Sequence, residues 1–269
     1  MKELTLLITG VASGIGKATA EHFIKNGHTV YGIDTVRCSA GERFFPFVAD
    51  ITDGESLSAV LSHLETHDVR LDAIVNIAGV HMMASLAESN FAAMKRVIDI
   101  NLCGTMLVNR TFHRLLNADG RVIIVTSEVA SFDPMPFNGL YNVSKTALDS
   151  YAQALRQELN LIGQKVITIR PGAIDTPLSA ESMRATRELA EYTKLYSGQA
   201  KNFAGIAAKF MGTPITPAAL AAMIYKAGTS AHPRLIYSKH RNLGLVLLNI
   251  LPKRLQCAVI KLLLGLNFQ

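Results

Sequence analysis

The stretch YNVSK, from Tyr141 to Lys145, places a phenol and an ammonium group four residues apart. On a helix this spacing puts both side chains on one face, where they can act together. A free tyrosine has a pKa of about 10 and is a poor base at neutral pH, but an ammonium group nearby in a partly dry cleft lowers that pKa. The pair is therefore a candidate acid–base site, although the same spacing also arises by chance in surface pairs.

Ser127 is a third residue that could take part in this chemistry. It ends the run GRVIIVTS, which predicts the fifth strand of a sheet. Ligands of doubly wound folds bind at the carboxyl edge of the sheet, so a hydroxyl there could hold a substrate oxygen beside the phenol. On its own, Ser127 is better explained as the cap of a helix or turn.

The segment LTLLITGVASGIGKATAEHF reads as strand, glycine turn and helix, which is the setting of a dinucleotide site. Gly10 would permit the tight turn, Gly14 the close approach of the backbone, and Gly16 the packing of helix on strand. The start of the helix would offer free amides and a positive dipole end to a pyrophosphate, and Ser13 could add a hydroxyl. A glycine turn alone is a weak signal, because many strand–helix junctions use glycine.

Asp34 strengthens the dinucleotide interpretation. It ends the second predicted strand, 18 residues after Gly16, where a carboxylate can accept both ribose hydroxyls of an adenosine. The same carboxylate would repel a 2′-phosphate, so the sequence predicts NAD as the cofactor and NADP as the less favoured alternative. Arg37 keeps that alternative open, because a cation three residues further on could bind the phosphate; otherwise it is a solvated surface charge.

The elements that must position these residues follow a regular order. Seven short apolar runs alternate with amphipathic stretches: LTLLIT, HTVYGID, FFPFVAD, LDAIVN, GRVIIVTS, KVITIR and RLIYS. This pattern predicts a single-domain α/β fold with a doubly wound, Rossmann-like parallel sheet of about seven strands. We expect a catalytic domain over 1–240, which includes a helical substrate lid over 178–213, and an apolar tail over 241–269.

Composition narrows the class of protein. Of 269 residues, 49% are hydrophobic and 18% charged, which indicates a well-filled globular core, and the net charge of +6 is scattered, so we do not expect nucleic acid binding. Cys38, Cys103 and Cys257 lie far apart and no export signal is visible, which favours a reducing, cytoplasmic setting. His63 and His67 have the spacing of a zinc-protease helix but lack its glutamate, so no metal site is predicted.

Together these motifs resemble those of the classical short-chain dehydrogenases/reductases, over about residues 3–240. The motifs are TGVASGIG from Thr9 to Gly16, NIAG from Asn76 to Gly79, Asn101 in IDINLCGT, Ser127 in VTSEVA, YNVSK, and RPGAIDT from Arg170 to Thr176. Two features depart from the family pattern. Ile77 stands where the family usually has a second asparagine, and Ser127 precedes Tyr141 by 14 residues instead of the usual 13. Ser127 remains the preferred serine, because Ser131 lies beyond the strand end.

The resemblance implies a role for each candidate residue. Tyr141 would be the general acid or base, Ser127 would orient and polarise the substrate oxygen, and Lys145 would lower the pKa of the phenol while binding the nicotinamide ribose. Asn101 would hold a water that continues the proton path, and Asp50 would meet the adenine. The implied cofactor-binding residues are Gly10, Ser13, Gly14, Ile15, Gly16, Asp34, Asp50, Ile51, Asn76, Ala78, Gly79, Tyr141, Lys145, Pro171, Gly172, Ile174 and Thr176.

The segments that this family wraps around its substrate are apolar here. They contain Met82, Met83, Phe132, Met135, Phe137, Phe203, Phe210 and Met211. Such side chains suit a bulky hydrophobic substrate, so we expect hydride exchange between NAD(H) and a hydrophobic secondary alcohol or ketone of hydroxysteroid, retinol or fatty type. His81, close behind the NIAG motif, could border the active site. The family also implies a homodimer or homotetramer.

The tail contains two apolar runs of about ten residues separated by Pro252, Lys253 and Arg254. A membrane-spanning helix needs roughly 20 residues, so we expect the tail to lie on a membrane surface, to close the substrate cleft or to bury against a second subunit. Two other functions stay open: a catalytically silent NAD-binding sensor or scaffold, and a peripheral membrane protein in which the tail has the main role.

Overall fold

A computed structural model of the chain describes residues 2–210, 213–239 and 243–265, leaving aside the side chains of 208–210. The described residues form one seven-stranded sheet, in which every neighbouring pair of strands is parallel. The strands are β1 (Thr5–Thr9), β2 (Thr29–Asp34), β3 (Phe44–Val48), β4 (Leu71–Asn76), β5 (Leu116–Val125), β6 (Lys165–Pro171) and β7 (Ile236–Lys239). Their order, β3-β2-β1-β4-β5-β6-β7, confirms the predicted doubly wound sheet.

Helices connect the strands and cover both faces of the sheet. They are α1 (Gly14–Lys25), α2 (Gly54–Thr66), α3 (Phe91–Ile98), α4 (Thr105–Phe112), α5 (Gly139–Asn160), α6 (Pro177–Tyr192), α7 (Ser197–Phe210), α8 (Pro217–Thr229), α9 (Leu243–Ile250) and α10 (Lys253–Gly265). A π-helical turn, Asp99–Gly104, joins α3 to α4, and a short 3₁₀ turn, Glu128–Ser131, follows β5. None of the described helices is both long enough and apolar enough to cross a membrane.

Two hydrophobic cores form on opposite faces of the sheet, because successive side chains of a strand point to opposite sides. Leu7 packs with residues of α2, α4 and α5 in one core. Its neighbours Leu6 and Ile8 pack with α1 and α8 in the other core. All three side chains are fully buried, which explains why the strands read as continuous apolar runs and why the sheet could be predicted.

The longest helix, α5, is fixed to the sheet by polar contacts at the strand ends. The Arg170 guanidinium in β6 donates to both carboxylate oxygens of Asp149, at 2.8 and 2.6 Å. Further along α5, Arg156 Nε donates to the Val166 carbonyl at 2.9 Å. Bidentate Arg–carboxylate contacts fix orientation as well as distance, so the middle of α5 is held at the carboxyl end of β6.

A third apolar cluster lies outside the two sheet cores. It joins the segment before α5, the predicted lid and the tail, since Phe137, Leu189, Phe203 and Leu264 pack together with Met83, Met135 and Ile260. The predicted lid forms α6 and α7, and α10 of the tail packs on α7. Of the predicted substrate-facing residues, Met83, Met135, Phe137 and Phe203 belong to this cluster, whereas Met211 and the Phe210 side chain lie outside the described residues.

Candidate active site

The turn between β1 and α1 has the backbone geometry that its glycines suggested. Gly10 and Gly14 have φ values of 78° and 51°, which residues other than glycine rarely adopt. A Cβ on Gly16 would lie 1.9 Å from the Gly10 carbonyl oxygen, so any side chain at residue 16 would force α1 away from the strand end. Ser13 stands at the N-cap of α1 without a side-chain capping bond, which leaves its hydroxyl free to contact a ligand.

A cleft of 310 Å³ opens in front of this turn, at the carboxyl edge of the sheet. It is lined by eleven of the predicted cofactor-binding residues, namely Gly10, Ser13, Gly14, Ile15, Gly16, Asp34, Asp50, Ile51, Ala78, Gly79 and Thr176. Thr35, Val80, Arg96, Ile100 and Leu178 also line it and were not predicted. The other six predicted residues, Asn76, Tyr141, Lys145, Pro171, Gly172 and Ile174, lie outside this lining.

Asp34 and Asp50 are held at the ends of their strands by backbone hydrogen bonds. Ala12 N and Val36 N donate to the two carboxylate oxygens of Asp34, at 2.9 and 3.0 Å. Thr52 donates from its backbone N–H and its hydroxyl to Asp50, and these bonds, aided by the nearby charge of Arg96, hold the pKa of Asp50 below its ordinary value. Both carboxylates are therefore fixed acceptors on the wall of the cleft.

The NIAG segment is fastened to the neighbouring strand and helix. The Thr9 hydroxyl accepts hydrogen bonds from Ile77 N and Ala78 N, at 3.1 Å each. Asn76 is buried and donates to Asn109 Oδ1 at 2.8 Å. Asn76 therefore supports the sheet edge beneath the cleft instead of lining it. Ile77, which departs from the family pattern, packs in the core on the α1 and α8 face.

The four predicted catalytic residues come together beside this cleft. Lys145 Nζ lies 5.8 Å from the centre of the Tyr141 ring, one helical turn away on α5. Ser127 follows β5 and its side chain hydrogen-bonds with that of Tyr141, whereas Ser131 is exposed. A Cβ built on Gly79 would lie 3.0 Å from Asn101 Oδ1 and 3.4 Å from Lys145 Nζ. The cleft and the acid–base groups thus meet at Gly79.

The protonation of this group is dominated by burial. Burial raises the pKa of Tyr141 to about 12, and the hydrogen bond with Ser127 opposes the rise. Burial also lowers the pKa of Lys145 to about 8, and its ammonium donates to the Val125 carbonyl at 3.4 Å. The shift of Tyr141 is opposite to the one expected from Lys145 alone, because desolvation of a buried phenolate outweighs an ammonium 5.8 Å from the ring centre.

The π-helical turn presents Asn101 as a clamp on the neighbouring loop. Val80 N donates to Asn101 Oδ1 at 2.8 Å, and Asn101 Nδ2 donates to the Val80 carbonyl at 2.9 Å and to Ser144 Oγ at 2.9 Å. Both amide hydrogens are therefore used within the protein. A bound water would have to be held by the remaining lone pair of Oδ1 or by the main-chain carbonyl.

Three contacts surround the phenol, and the sequence suggested only that of His81 with Tyr141. His81 borders the site, with its ring centre 4.3 Å from that of Tyr141, and its Nε2 lies 3.0 Å from Asn138 Oδ1. Ser144 Oγ donates to the Tyr141 carbonyl at 2.8 Å and so links Asn101 to α5. The position of His81 soon after the NIAG segment was the sequence signal for this contact, whereas Asn138 and Ser144 were given no role from sequence.

The loop between Ser127 and Tyr141 is tied down on two sides. Asn142 Nδ2 donates to the carbonyls of Val129 and Phe132, at 2.8 and 3.1 Å. From the tail, Gln256 Nε2 donates to Asp133 Oδ2 at 3.1 Å and Lys253 forms an ion pair with the same carboxylate. Asn249 Oδ1 accepts from Asp133 N at 2.6 Å. The extra residue of this loop is thus accommodated between α5 and the tail.

The two histidines with metal-ligand spacing lie away from the site. His63 is exposed near the end of α2, His67 caps that helix, and their ring centres are 4.3 Å apart. No group of three or more His, Cys, Asp or Glu side chains within the described ranges is placed to hold a metal ion.

Comparison with known proteins agrees with this geometry. A model of the short chain dehydrogenase family matches residues 4–187. A 3-hydroxyacyl-CoA dehydrogenase type-2 from Drosophila melanogaster is 32% identical over 200 residues, which cover 67% of this chain and 78% of the relative. Serine 3-dehydrogenase from Rhizobium radiobacter is 30% identical over 204 residues, which cover 72% of this chain and 80% of the relative.

Solved structures share the fold over almost the whole chain. A short chain dehydrogenase from Burkholderia cenocepacia in complex with NADP has a TM-score of 0.74 at 19% identity, with 96% of this chain and 98% of the other covered. A short-chain dehydrogenase from Streptomyces avermitilis has a TM-score of 0.72 at 22% identity, with coverage of 97% and 96%. The chain belongs to the short-chain dehydrogenase family, whose members use a nicotinamide cofactor to act on alcohol and ketone groups.

Proposed function

We propose that this enzyme exchanges a hydride between NAD(H) and a hydrophobic secondary alcohol or ketone. The observation that carries the proposal is that Lys145 and Asn101 meet at Gly79, on the edge of the cleft, while Lys145 lies one helical turn from Tyr141, which hydrogen-bonds with Ser127. The bound nicotinamide supplies or accepts the hydride, and the residues of the chain bind it, orient the substrate and move the proton.

The shape of the cleft fits a dinucleotide. Its floor is the glycine turn, where a Cβ on Gly10 would come within 3.0 Å of Ala78 and one on Gly14 within 3.4 Å of Thr176. The amides at the start of α1 suit a pyrophosphate, and the fixed carboxylate of Asp34 suits the ribose hydroxyls, which supports NAD over NADP. Pro171, Gly172 and Ile174 would complete the nicotinamide end through the segment that follows β6.

The proton chemistry follows from the pKa values of the site. Tyr141, with its pKa raised to about 12, keeps its proton through the neutral range and can donate it to a carbonyl oxygen during reduction. Lys145, with its pKa lowered to about 8, still carries a positive charge at pH 7 and stabilises the phenolate that remains. Ser127 would hold the substrate oxygen next to the phenol. Alcohol oxidation is the reverse reaction and begins from the phenolate of Tyr141, stabilised by Lys145, which takes up the proton of the alcohol.

The nature of the substrate is inferred from the third apolar cluster. Met83, Met135, Phe137 and Phe203 pack with Leu264 of the tail, and all but Phe203 stand within six residues of His81 or Tyr141 in the chain. Thioether and aromatic side chains adapt well to bulky apolar ligands. The names of the two relatives indicate a hydroxyacyl thioester in one protein and serine in the other. The apolar cluster favours a fatty, steroid or retinoid alcohol over a small polar one.

The decisive experiment compares Tyr141→Phe with the wild type on a panel of steroid, retinoid and aliphatic alcohols and ketones, with NAD and NADP. General acid–base catalysis contributes roughly 10²–10⁴ in rate, so the variant should lose turnover by about that factor while it still binds NAD. Tyr192→Phe is the matched control, because its ring is exposed on α6. Full turnover in Tyr141→Phe would refute the assignment, and NAD binding without turnover in the wild type would favour a sensor or scaffold.

A second proposal concerns the tail, which we infer rests on a membrane surface. Leu243, Leu247 and Ile250 share one face of α9 and are 75%, 67% and 74% exposed, although α10 packs on α7. Residues 243–265 carry Lys253, Arg254 and Lys261 and no acidic residue. Exposed aliphatic side chains in a segment with surplus positive charge complement an anionic lipid surface, although Lys253 is paired with Asp133; two copies of the tail would bring like charges together.

Vesicle co-sedimentation tests the tail proposal. The wild type should bind vesicles that contain phosphatidylglycerol but not pure phosphatidylcholine, and a variant with Leu243→Gln, Leu247→Gln and Ile250→Gln should lose this binding. The control is Leu161→Gln with Ile162→Gln, an exposed apolar pair at the far end of α5. No binding by the wild type would refute the proposal, and a wild-type dimer that becomes monomeric in the triple variant would assign the face to the homo-oligomer implied by the family.

A further inference from the structure

His81 holds a fixed position beside the catalytic phenol. It follows Val80, whose N–H and carbonyl are both held by the Asn101 amide at 2.8 and 2.9 Å. Its ring centre lies 4.3 Å from that of Tyr141. Because α5 presents Tyr141 and the π-helical turn presents Asn101, the histidine is located by the same elements as the acid–base group. A group on its ring therefore has a defined place relative to the reacting atoms.

The hydrogen bonds of His81 define the chemistry that it can offer. Asn138 Oδ1 lies 3.0 Å from His81 Nε2, which places the ring proton on Nε2 and leaves Nδ1 with a lone pair. Nδ1 is buried and has no hydrogen-bond partner among the described residues. Burial lowers the pKa of His81 to about 4, so the ring is neutral at physiological pH. Nδ1 of His81 is thus a hydrogen-bond acceptor for which the described residues provide no donor. Met83 of the apolar cluster follows two residues later.

Two simpler roles account poorly for this arrangement. A neutral imidazole with so low a pKa is too weak to serve as a general base near neutral pH. If the ring only packed on Tyr141, a phenylalanine would do the same without burying an unsatisfied nitrogen, which is costly in a protein interior. The Asn138 contact would then also have no purpose, because it orients a ring that has nothing further to bind.

We propose that His81 Nδ1 accepts a hydrogen bond from a hydroxyl group of the substrate, so that the enzyme selects alcohols that carry a second hydroxyl near the reacting carbon. The inference rests on the proposed hydride exchange with a hydrophobic secondary alcohol. The substrate class becomes an apolar molecule with two neighbouring oxygen functions, one held by Ser127 and Tyr141 and the other by His81. Asn138 is a positioning residue, because it keeps the proton on the opposite ring nitrogen.

The test uses 2-decanol and 1,2-decanediol, which share the reacting carbon and differ in the second hydroxyl. In the wild type, kcat/KM with NAD should be about tenfold higher for the diol. His81→Phe keeps the ring on Tyr141 but removes the acceptor, so the ratio should fall to about one. Asn138→Leu removes the acceptor that keeps the ring proton on Nε2, so the kcat/KM ratio should fall, but less than in His81→Phe. His63→Phe, at an exposed histidine on α2, should leave it unchanged.

The ratio of the two substrates separates recognition from packing. Equal kcat/KM values in the wild type, or an unchanged ratio in His81→Phe, would overturn the inference. An equal loss with both alcohols would also overturn it, because it would show that the ring only supports Tyr141. If the wild type oxidises other alcohols of the panel but neither of these, their inhibition constants give the same ratio. No turnover with any alcohol would instead refute the proposed function.

Discussion

The cofactor side and the substrate side of this enzyme are built in different ways. On the cofactor side, the backbone makes the site: the glycine turn, the start of α1 and the strand ends line the cleft. On the substrate side, side chains from distant segments meet, as when Phe137, Phe203 and Leu264 form one cluster. A backbone-built site constrains residue types at fixed spacing, whereas a side-chain cluster only constrains size and polarity.

The first prediction tests the cofactor side where the effect should be largest. In Gly16→Ala, the new Cβ would lie 1.9 Å from the Gly10 carbonyl oxygen and 2.5 Å from its carbon. Such overpacking costs about 1–3 kcal/mol or more, and the displaced helix start should also abolish NAD binding. Thermal unfolding and NAD titration measure both effects.

Gly205→Ala is the matched control on the substrate side. Gly205 lies within α7 and a Cβ there would meet no atom within 4 Å, so the variant should gain about 0.5–1 kcal/mol from helix propensity. If the two variants unfolded at the same temperature and bound NAD alike, the contrast between the two sides would be wrong.

The second prediction concerns the buried lysine where the two sides meet. The folded pKa of Lys145, about 8, is below its ordinary value of 10.5, so between these pH values the unfolded chain binds more protons than the folded one. The free energy of unfolding should therefore rise with pH across this window, by up to about 3 kcal/mol. Denaturant titrations between pH 7 and 9.5 cover the lower part of this window and should show about 2 kcal/mol of the rise, before most of Tyr141 ionises in the unfolded chain.

Lys145→Met should lose this rise, because it has no ammonium to deprotonate. Lys226→Met, at an exposed lysine on α8, should keep it. If the free energy of unfolding rose equally with pH in the wild type and in Lys145→Met, the lysine would be solvated in the folded protein. The comparison needs no substrate, so it is independent of the proposed reaction.

The third prediction sharpens the choice of cofactor. A carboxylate and a 2′-phosphate about 4 Å apart repel by roughly 1–4 kcal/mol, depending on the local dielectric. Asp34→Asn should therefore raise the kcat/KM ratio of NADP to NAD by about fivefold to several hundredfold. Arg37→Ala in the same background should reverse part of the gain if Arg37 contacts the phosphate. An unchanged ratio in Asp34→Asn would show that this carboxylate does not select the cofactor.

The sequence predicted the structure where burial or backbone geometry allows only certain residue types. The central strands were predicted because their two buried faces require apolar residues, and the turn because Gly10 and Gly14 have positive φ values and Gly16 leaves no room for a side chain. The raised pKa of Tyr141 was not predicted, since it depends on how completely the phenol is buried. Neither was the contact of Gln256 with Asp133, because the two residues are far apart in sequence and neither forms a motif.

That contact leads to the fourth prediction, with the smallest expected effect. The tail holds the Ser127–Tyr141 loop through Asp133, which bonds with Gln256 and Lys253. Exposed ion pairs and single hydrogen bonds contribute about 1 kcal/mol each, so Asp133→Asn should lower kcat by roughly threefold to tenfold. The KM for NAD should not change, because the glycine turn is built independently of the tail.

Double-variant analysis distinguishes a tail that positions the loop from two unrelated surface changes. If the contact acts as one unit, Asp133→Asn combined with Gln256→Leu should reduce kcat no further than Asp133→Asn alone. Asp119→Asn is the control and should leave kcat unchanged, because Asp119 is an exposed residue of β5. Additive losses in the double variant would mean that the tail only covers the substrate side, and catalysis would then depend on the sheet edge and α5 without help from the tail.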